Sequence, residues 1–131
     1  MKPISVILAH DLSYGIGLEG RIPWRCRKDM EHFREVTTRT AEPGKYNAVV
    51  MGRRTWESMR GRKLPERVNV CVSSQVQAIP TAPTIAQAVK LANDAPDVEG
   101  IFFIGGVHVY REVLEEFPIE RLFITTIKAT F

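Results

Sequence analysis

Residues 48–59 read Ala48-Val49-Val50-Met51-Gly52-Arg53-Arg54-Thr55-Trp56-Glu57-Ser58-Met59. Four consecutive apolar residues are too few for a buried helix and fit a short strand covered on both faces. Gly52 permits a tight turn there, and residues 54–59 then carry a short helical pattern that Gly61 closes. A strand that runs through glycine into a helix is the first half of a strand–helix–strand unit.

Working outward, the same alternation recurs on both sides. Toward the C-terminus, residues 68–72 are β-branched and strand-like, and 73–84, with Pro80 and Pro83, form a loop with room for a short strand. Residues 85–93 place Ile85, Ala88, Val89 and Ala92 at helical spacing before Pro96. Residues 101–104 form a strand broken by Gly105-Gly106, and 107–116 a helix with Tyr110, Val113 and Leu114 facing inward. A last strand is expected over 122–127. Toward the N-terminus, 4–9 is a buried strand and 27–38 a helix with Met30, Phe33 and Val36 or Thr37 on one stripe. The expected fold is α/β, a mainly parallel central sheet flanked by helices, in one domain over residues 1–131.

Composition narrows the function classes. With 44% apolar and 25% charged residues, the chain can bury a core without metal or disulfide staples. No stretch reaches the ~18 apolar residues of a membrane span. The start reads as a strand and not a signal peptide. Cys26 and Cys71 lack metal-ligand spacing, and two lone cysteines suit a reducing cytoplasm. His10, His32 and His108 share no metal-ligand spacing, so no metal site is expected. A net charge of +3 is too small to imply a nucleic-acid partner. Its clustering matters more: Arg53, Arg54, Arg60, Arg62, Lys63 and Arg67 face only Glu57 and Glu66 in the same segment. This is either a solvated basic face or a site for a small polyanion.

Gly15-Ile16-Gly17-Leu18-Glu19-Gly20 matches the dinucleotide fingerprint G-x-G-x-x-G and follows a strand. That motif works only where the glycines open a helix facing a pyrophosphate. Here the chain continues into Ile22-Pro23-Trp24 with no helical pattern before Arg27, so the Rossmann reading is rejected in favour of a loop over a ligand.

Asp29 borders the apolar stripe of the first helix, four residues before Phe33. A carboxylate facing an apolar pocket must be paired, hydrogen-bonded or protonated, which makes it a functional candidate. It also fits as a first-turn acid favoured by the helix dipole. Gly52-Arg53-Arg54-Thr55 and Gly105-Gly106-Val107 both place bare backbone between a strand end and a helix start, a phosphate-ready arrangement or simply a turn. Ser73 and Ser74 either bind an anion beside the arginines or shape a turn. Arg67 is either a surface arginine or the partner of a ligand carboxylate.

Taken together, these segments resemble the dihydrofolate reductase family over residues 4–127. The run from Gly15 to Pro23-Trp24 resembles its active-site loop, and Asp29 with Phe33 its acidic helix. Residues 50–58 and Leu64-Pro65-Glu66-Arg67-Val68-Asn69 are similar to its central segments. Ile104-Gly105-Gly106-Val107-His108-Val109-Tyr110 is similar to its cofactor motif, and Leu122-Phe123-Ile124-Thr125 to its threonine strand.

The resemblance implies NADPH-dependent hydride transfer to C6 of dihydrofolate with protonation at N5. It implies that Asp29 bonds the pterin and promotes protonation, that Thr125 bonds Asp29, and that Trp24 anchors water. It implies a substrate pocket of Ile7, Leu8, Met30, Phe33, Met59, Leu64 and Ile104, with Arg67 on the substrate's α-carboxylate. The implied NADPH site uses Ala9, Ile16, Gly52, Arg53, Arg54, Thr55, Ser73, Ser74, Gly105, Gly106, Val107 and Tyr110, with Arg54 and Ser74 at the 2′-phosphate. It also implies a cis Gly105–Gly106 bond, and no nucleic-acid or membrane partner.

Two departures stand out. Family members continue past the threonine strand into a loop and an antiparallel strand pair, whereas this sequence ends at Phe131. The expectation is a C-terminally shortened fold, acting as a monomer or associating through the exposed edge strand. A fragment, strands supplied by a partner and a reduced, weakly active form all fit that expectation. The second departure is Arg25-Cys26-Arg27, charged residues expected to alter substrate access. The rival readings are a related pterin or pyrimidine reductase and a non-catalytic module on the same fold.

Overall fold

The computed structural model describes the backbone of residues 2–10 and 27–126, and side chains at 2–7 and 31–123. Strand β1 (Ile4–His10) leads to helix α1 (Arg27–Thr38), then β2 (Tyr46–Gly52), α2 (Arg53–Ser58), β3 (Arg67–Val72) and β4 (Thr81–Ala82). Helix α3 (Ile85–Asp94), β5 (Val98–Phe103), α4 (Val107–Glu116) and β6 (Arg121–Thr126) complete it. The six strands form one sheet in the order β4-β3-β2-β5-β1-β6, and every pairing among the described residues is parallel.

Alternation along each strand sorts the side chains into two cores, because successive residues point to opposite faces. Val6, Ala48, Val50, Val70, Ile101 and Phe103 meet α3 and α4 through Ile85, Ala88, Val89, Val109, Tyr110 and Val113. On the other face, Ile7, Val49, Met51, Cys71 and Ile104 meet α1 and α2 through Phe33 and Trp56. A three-layer α/β/α sandwich results, as the uniformly apolar strands require.

The differences from the sequence reading are local. Leu114, expected to face inward, is 48% exposed. Helix α4 turns Val109, Tyr110 and Val113 onto the sheet, and Leu114 lies about 100° further round from Val113. Strand β5 begins at Val98 and not at Ile101, since Glu99 and Gly100 interrupt the apolar run without ending the strand. The loop over 73–84 does hold a short strand, β4, paired with β3. Strand β6 lies at the sheet edge among the described residues, with Leu122 50% exposed.

Candidate active site

The strand order places β5 between β1 and β2, so that the C-terminal ends of the three central strands converge. In open parallel sheets, ligands bind at such ends, where the connections diverge. Gly52 closes β2 and Gly105 follows β5, and the Gly52 N–H donates to the Gly105 carbonyl at 2.9 Å. The Gly105–Gly106 bond is cis, as the resemblance implied. Gly105 has φ +141°, and a Cβ there would lie 3.0 Å from Thr55 Oγ1 and 3.6 Å from the Tyr110 hydroxyl. A Cβ on Gly52 would lie 3.1 Å from Val109 Cγ2. Side chains at Gly52 or Gly105 would crowd this junction, which α4 enters with no side-chain cap on its first-turn N–H groups.

Thr55 is buried beside this junction, and Val107 is exposed at the start of α4. Tyr110 is anchored in the core, its hydroxyl donating to the Ile7 carbonyl at 2.8 Å. Burial pushes its phenol well above the ordinary range, so it stays neutral. Arg53 and Arg54 are both exposed at the start of α2. Arg53 pairs with Glu57 at 2.6 Å, whereas among the described residues no carboxylate pairs with Arg54. The Ser73 hydroxyl accepts the Gln75 N–H at 3.1 Å and so shapes the turn after β3, while Ser74 is exposed.

A second group lies on the α1 face. Ile7, Phe33 and Ile104 are buried in one apolar cluster, with Met59 and Leu64 packed against it. Arg67, at the start of β3, borders this cluster. Its Nε donates to the Pro65 carbonyl at 2.9 Å and its Nη1 to Thr37 Oγ1 at 2.9 Å. Its Cζ sits 6.0 Å from the Phe33 ring centroid, within cation–π range. Burial first, and Arg34 second, pull its pKa down, opposed by Glu66. Glu66 itself pairs with Arg34, at 3.4 Å. Among the described residues no carboxylate comes within ion-pair distance of Arg67, so its half-buried guanidinium is held in place by the neutral Pro65 carbonyl and Thr37 hydroxyl.

Sequence reading missed the residue that secures this corner. Asn69 is buried in β3, its Nδ2 donating to the carbonyls of Leu64 (2.9 Å) and Arg67 (3.0 Å), and its Oδ1 accepting the Leu64 N–H at 2.8 Å. An amide inside the β-branched run Val68-Asn69-Val70 was the available signal.

Several expected site residues lie outside the described part. Ile16 and Trp24 fall among the undescribed residues, and the side chains of Leu8, Ala9, Asp29, Met30 and Thr125 lie outside those described. Their backbones are informative where given: Asp29 is in the first turn of α1, and Thr125 pairs with Ala9 across β6 and β1. Among the described residues no group of His, Cys, Asp and Glu could hold a metal ion. No helix there is long and apolar enough to cross a membrane.

Comparison with known proteins gives a consistent result. A family model described as dihydrofolate reductase matches residues 3–131. The chain is 38% identical to dihydrofolate reductase of Candida albicans over 94% of its length and 67% of that protein's. It is 34% identical to dihydrofolate reductase of Drosophila melanogaster, covering all of this chain and 76% of that one. Among solved structures, Schistosoma mansoni dihydrofolate reductase superposes with a TM-score of 0.84 at 34% identity, over 99% of this chain and 76% of that one.

Proposed function

The chain belongs to the dihydrofolate reductase family of oxidoreductases, and from that premise we propose that it reduces 7,8-dihydrofolate to 5,6,7,8-tetrahydrofolate with NADPH. The observation that carries the reading is Arg67, a fixed cation at the border of an apolar cluster with no ion-pair partner among the described residues. A flat pterin with an aminobenzoyl arm suits the apolar walls of Ile7, Phe33, Met59, Leu64 and Ile104. The carboxylate at the end of that arm suits the guanidinium.

NADPH, when bound, supplies the hydride that C6 of the substrate accepts. The residues fit such a cofactor: the bare junction of Gly52, Gly105 and Gly106 lets a pyrophosphate approach backbone N–H groups at the start of α4. Arg54, free of any carboxylate among the described residues, is assigned with Ser74 to the 2′-phosphate, which selects NADPH over NADH. Thr55 and Tyr110 lie against Gly105 at the junction, and Ile16, Ala9, Arg53, Ser73 and Val107 are assigned to the same cofactor.

Asp29 is assigned to hydrogen-bond the pterin and to promote the arrival of a proton at N5. Thr125, whose backbone pairs with Ala9 at the end of β1, is assigned to hold Asp29. Trp24 is assigned to order water at the substrate, and Leu8 and Met30 to line its pocket. A cytoplasmic location completes the reading, supported by the buried Cys71 thiol, a free cysteine.

The test is loss of NADPH absorbance with dihydrofolate, run beside Asp29→Asn. Turnover should fall by roughly 100-fold, in line with removal of a general acid–base group, while NADPH affinity holds. Equal turnover in the variant would refute the assignment of Asp29.

A further inference from the structure

We infer that Thr37 is a positioning residue for Arg67, and that its buried hydroxyl aims the guanidinium at the substrate carboxylate. This rests on the reading of Arg67 as the carboxylate receptor. Thr37 is fully buried in the last turn of α1. Its Oγ1 donates to the Phe33 carbonyl at 2.7 Å. A threonine hydroxyl has one proton, so this bond fixes its orientation and leaves the lone pairs facing Arg67 Nη1 at 2.9 Å.

The backbone of Thr37 is fixed as well. Asn47 Nδ2 donates to the carbonyls of Thr37 (3.0 Å) and Arg39 (2.8 Å), and its Oδ1 accepts the Gly100 N–H at 3.1 Å. A buried polar chain thus runs from β5 through β2 and the end of α1 to the guanidinium.

The geometry of the fork says which edge is presented. Of five N–H groups on Arg67, Nε–H is held by Pro65 and one Nη1 proton by Thr37. One Nη1 proton and the two on Nη2 remain, and a carboxylate docked end-on spans Nη1 and Nη2 with one bond to each, giving two parallel bonds. With Phe33 lying under Cζ, the long side chain is ordered before any ligand arrives, so binding costs less rotamer entropy. A threonine serving only to bond its own helix would need no partner in a segment thirty residues away.

The test measures kcat and KM for dihydrofolate and for a dihydropterin lacking the aminobenzoylglutamate arm. Thr37→Val should raise KM for dihydrofolate roughly tenfold, as expected for one lost bond to a charged group, and leave kcat within about twofold. KM for the armless dihydropterin and the Kd for NADPH should hold in that variant. Thr37→Ser should restore the dihydrofolate KM, and Thr37→Val should add nothing to Arg67→Leu. If Thr37→Val does not fold, Thr37→Ala, which favours the helix, is judged by the same comparison. Equal rises in KM for both substrates would show a merely structural role and overturn the proposal. An effect of Arg67→Leu with none from Thr37→Val overturns it while leaving the receptor intact. Arg67→Leu without effect on dihydrofolate refutes the receptor itself.

Discussion

Replacing Asn69 with alanine removes three hydrogen bonds at once: two donated to the Leu64 and Arg67 carbonyls and one accepted from the Leu64 N–H. Each such bond is worth about 1 kcal/mol net, and Leu64 and Arg67 are only half-buried, so water replaces part of the loss; the expected cost is roughly 2–3 kcal/mol. With a urea m-value of about 1.5 kcal/mol/M, the unfolding midpoint should fall by roughly 1.5–2 M without a change in slope. Tryptophan fluorescence reads the transition, since Trp56 is buried in the adjoining cluster. A midpoint shift below about 0.3 M at unchanged slope would refute the reasoning, because three buried-amide bonds cannot vanish so cheaply. Asn69→Asp sharpens the test. Its carboxylate keeps the acceptor for the Leu64 N–H but turns an oxygen toward two carbonyls. It should be at least as destabilised as the alanine variant at neutral pH, and should recover as acidification protonates it.

Gly105→Ala should cost roughly 2–4 kcal/mol in chemical denaturation, since φ +141° suits glycine and the new methyl meets Thr55 Oγ1 at 3.0 Å. A loss under about 0.5 kcal/mol would mean that the junction yields. Tyr110 makes stability fall in alkali. Below the ordinary phenol pKa both states keep the proton; above about pH 10 the unfolded chain releases it while the folded protein retains it, at ~1.4 kcal/mol per pH unit. Cys71, whose thiol is also raised by burial, acts in the same direction. Tyr110→Phe should be less stable at neutral pH yet show a shallower alkaline decline, and an unchanged slope would contradict the buried phenol. Arg54→Gln should weaken NADPH binding roughly tenfold and NADH binding little, measured by fluorescence titration. Equal losses for both would place Arg54 away from the 2′-phosphate.

The parts of the fold that the sequence disclosed are those where chemistry and periodicity coincide over neighbouring residues. Residues 48–52 could only be a covered strand turning at glycine, and Ile85, Ala88, Val89 and Ala92 mark the inner face of α3. Strand β5 was read short because Glu99 and Gly100 interrupt its apolar run. The Glu99 carboxylate in fact accepts the N–H groups of Ala41 and Glu42 and so pins the turn before β2. That purpose is invisible without the turn. The same holds for the site. Arg67 could be singled out only as one of two alternatives, because the partners that distinguish a receptor from a surface arginine, Thr37 and Phe33, are distant in sequence. Asn47 reads as an ordinary polar residue until its bonding partners are known, and Asn69 stands out only as an amide within a β-branched run. The glycine pair was legible for a different reason: two glycines between a strand and a helix mark a turn, and at Gly105 the positive φ requires one.

The position of β5 also constrains how the molecule can be made. Ile4 finds its neighbour only at Ile101, and Val50 finds its second at Phe103. A nascent chain emerging from the ribosome can join β2 to β3 early, but β1 has nothing to lie against until β5 has been synthesised. Such distant closures slow the search for the native state. Strand β1 therefore waits longer for a partner than β2 or β3 does, and during that interval its unpaired apolar backbone is open to wrong associations.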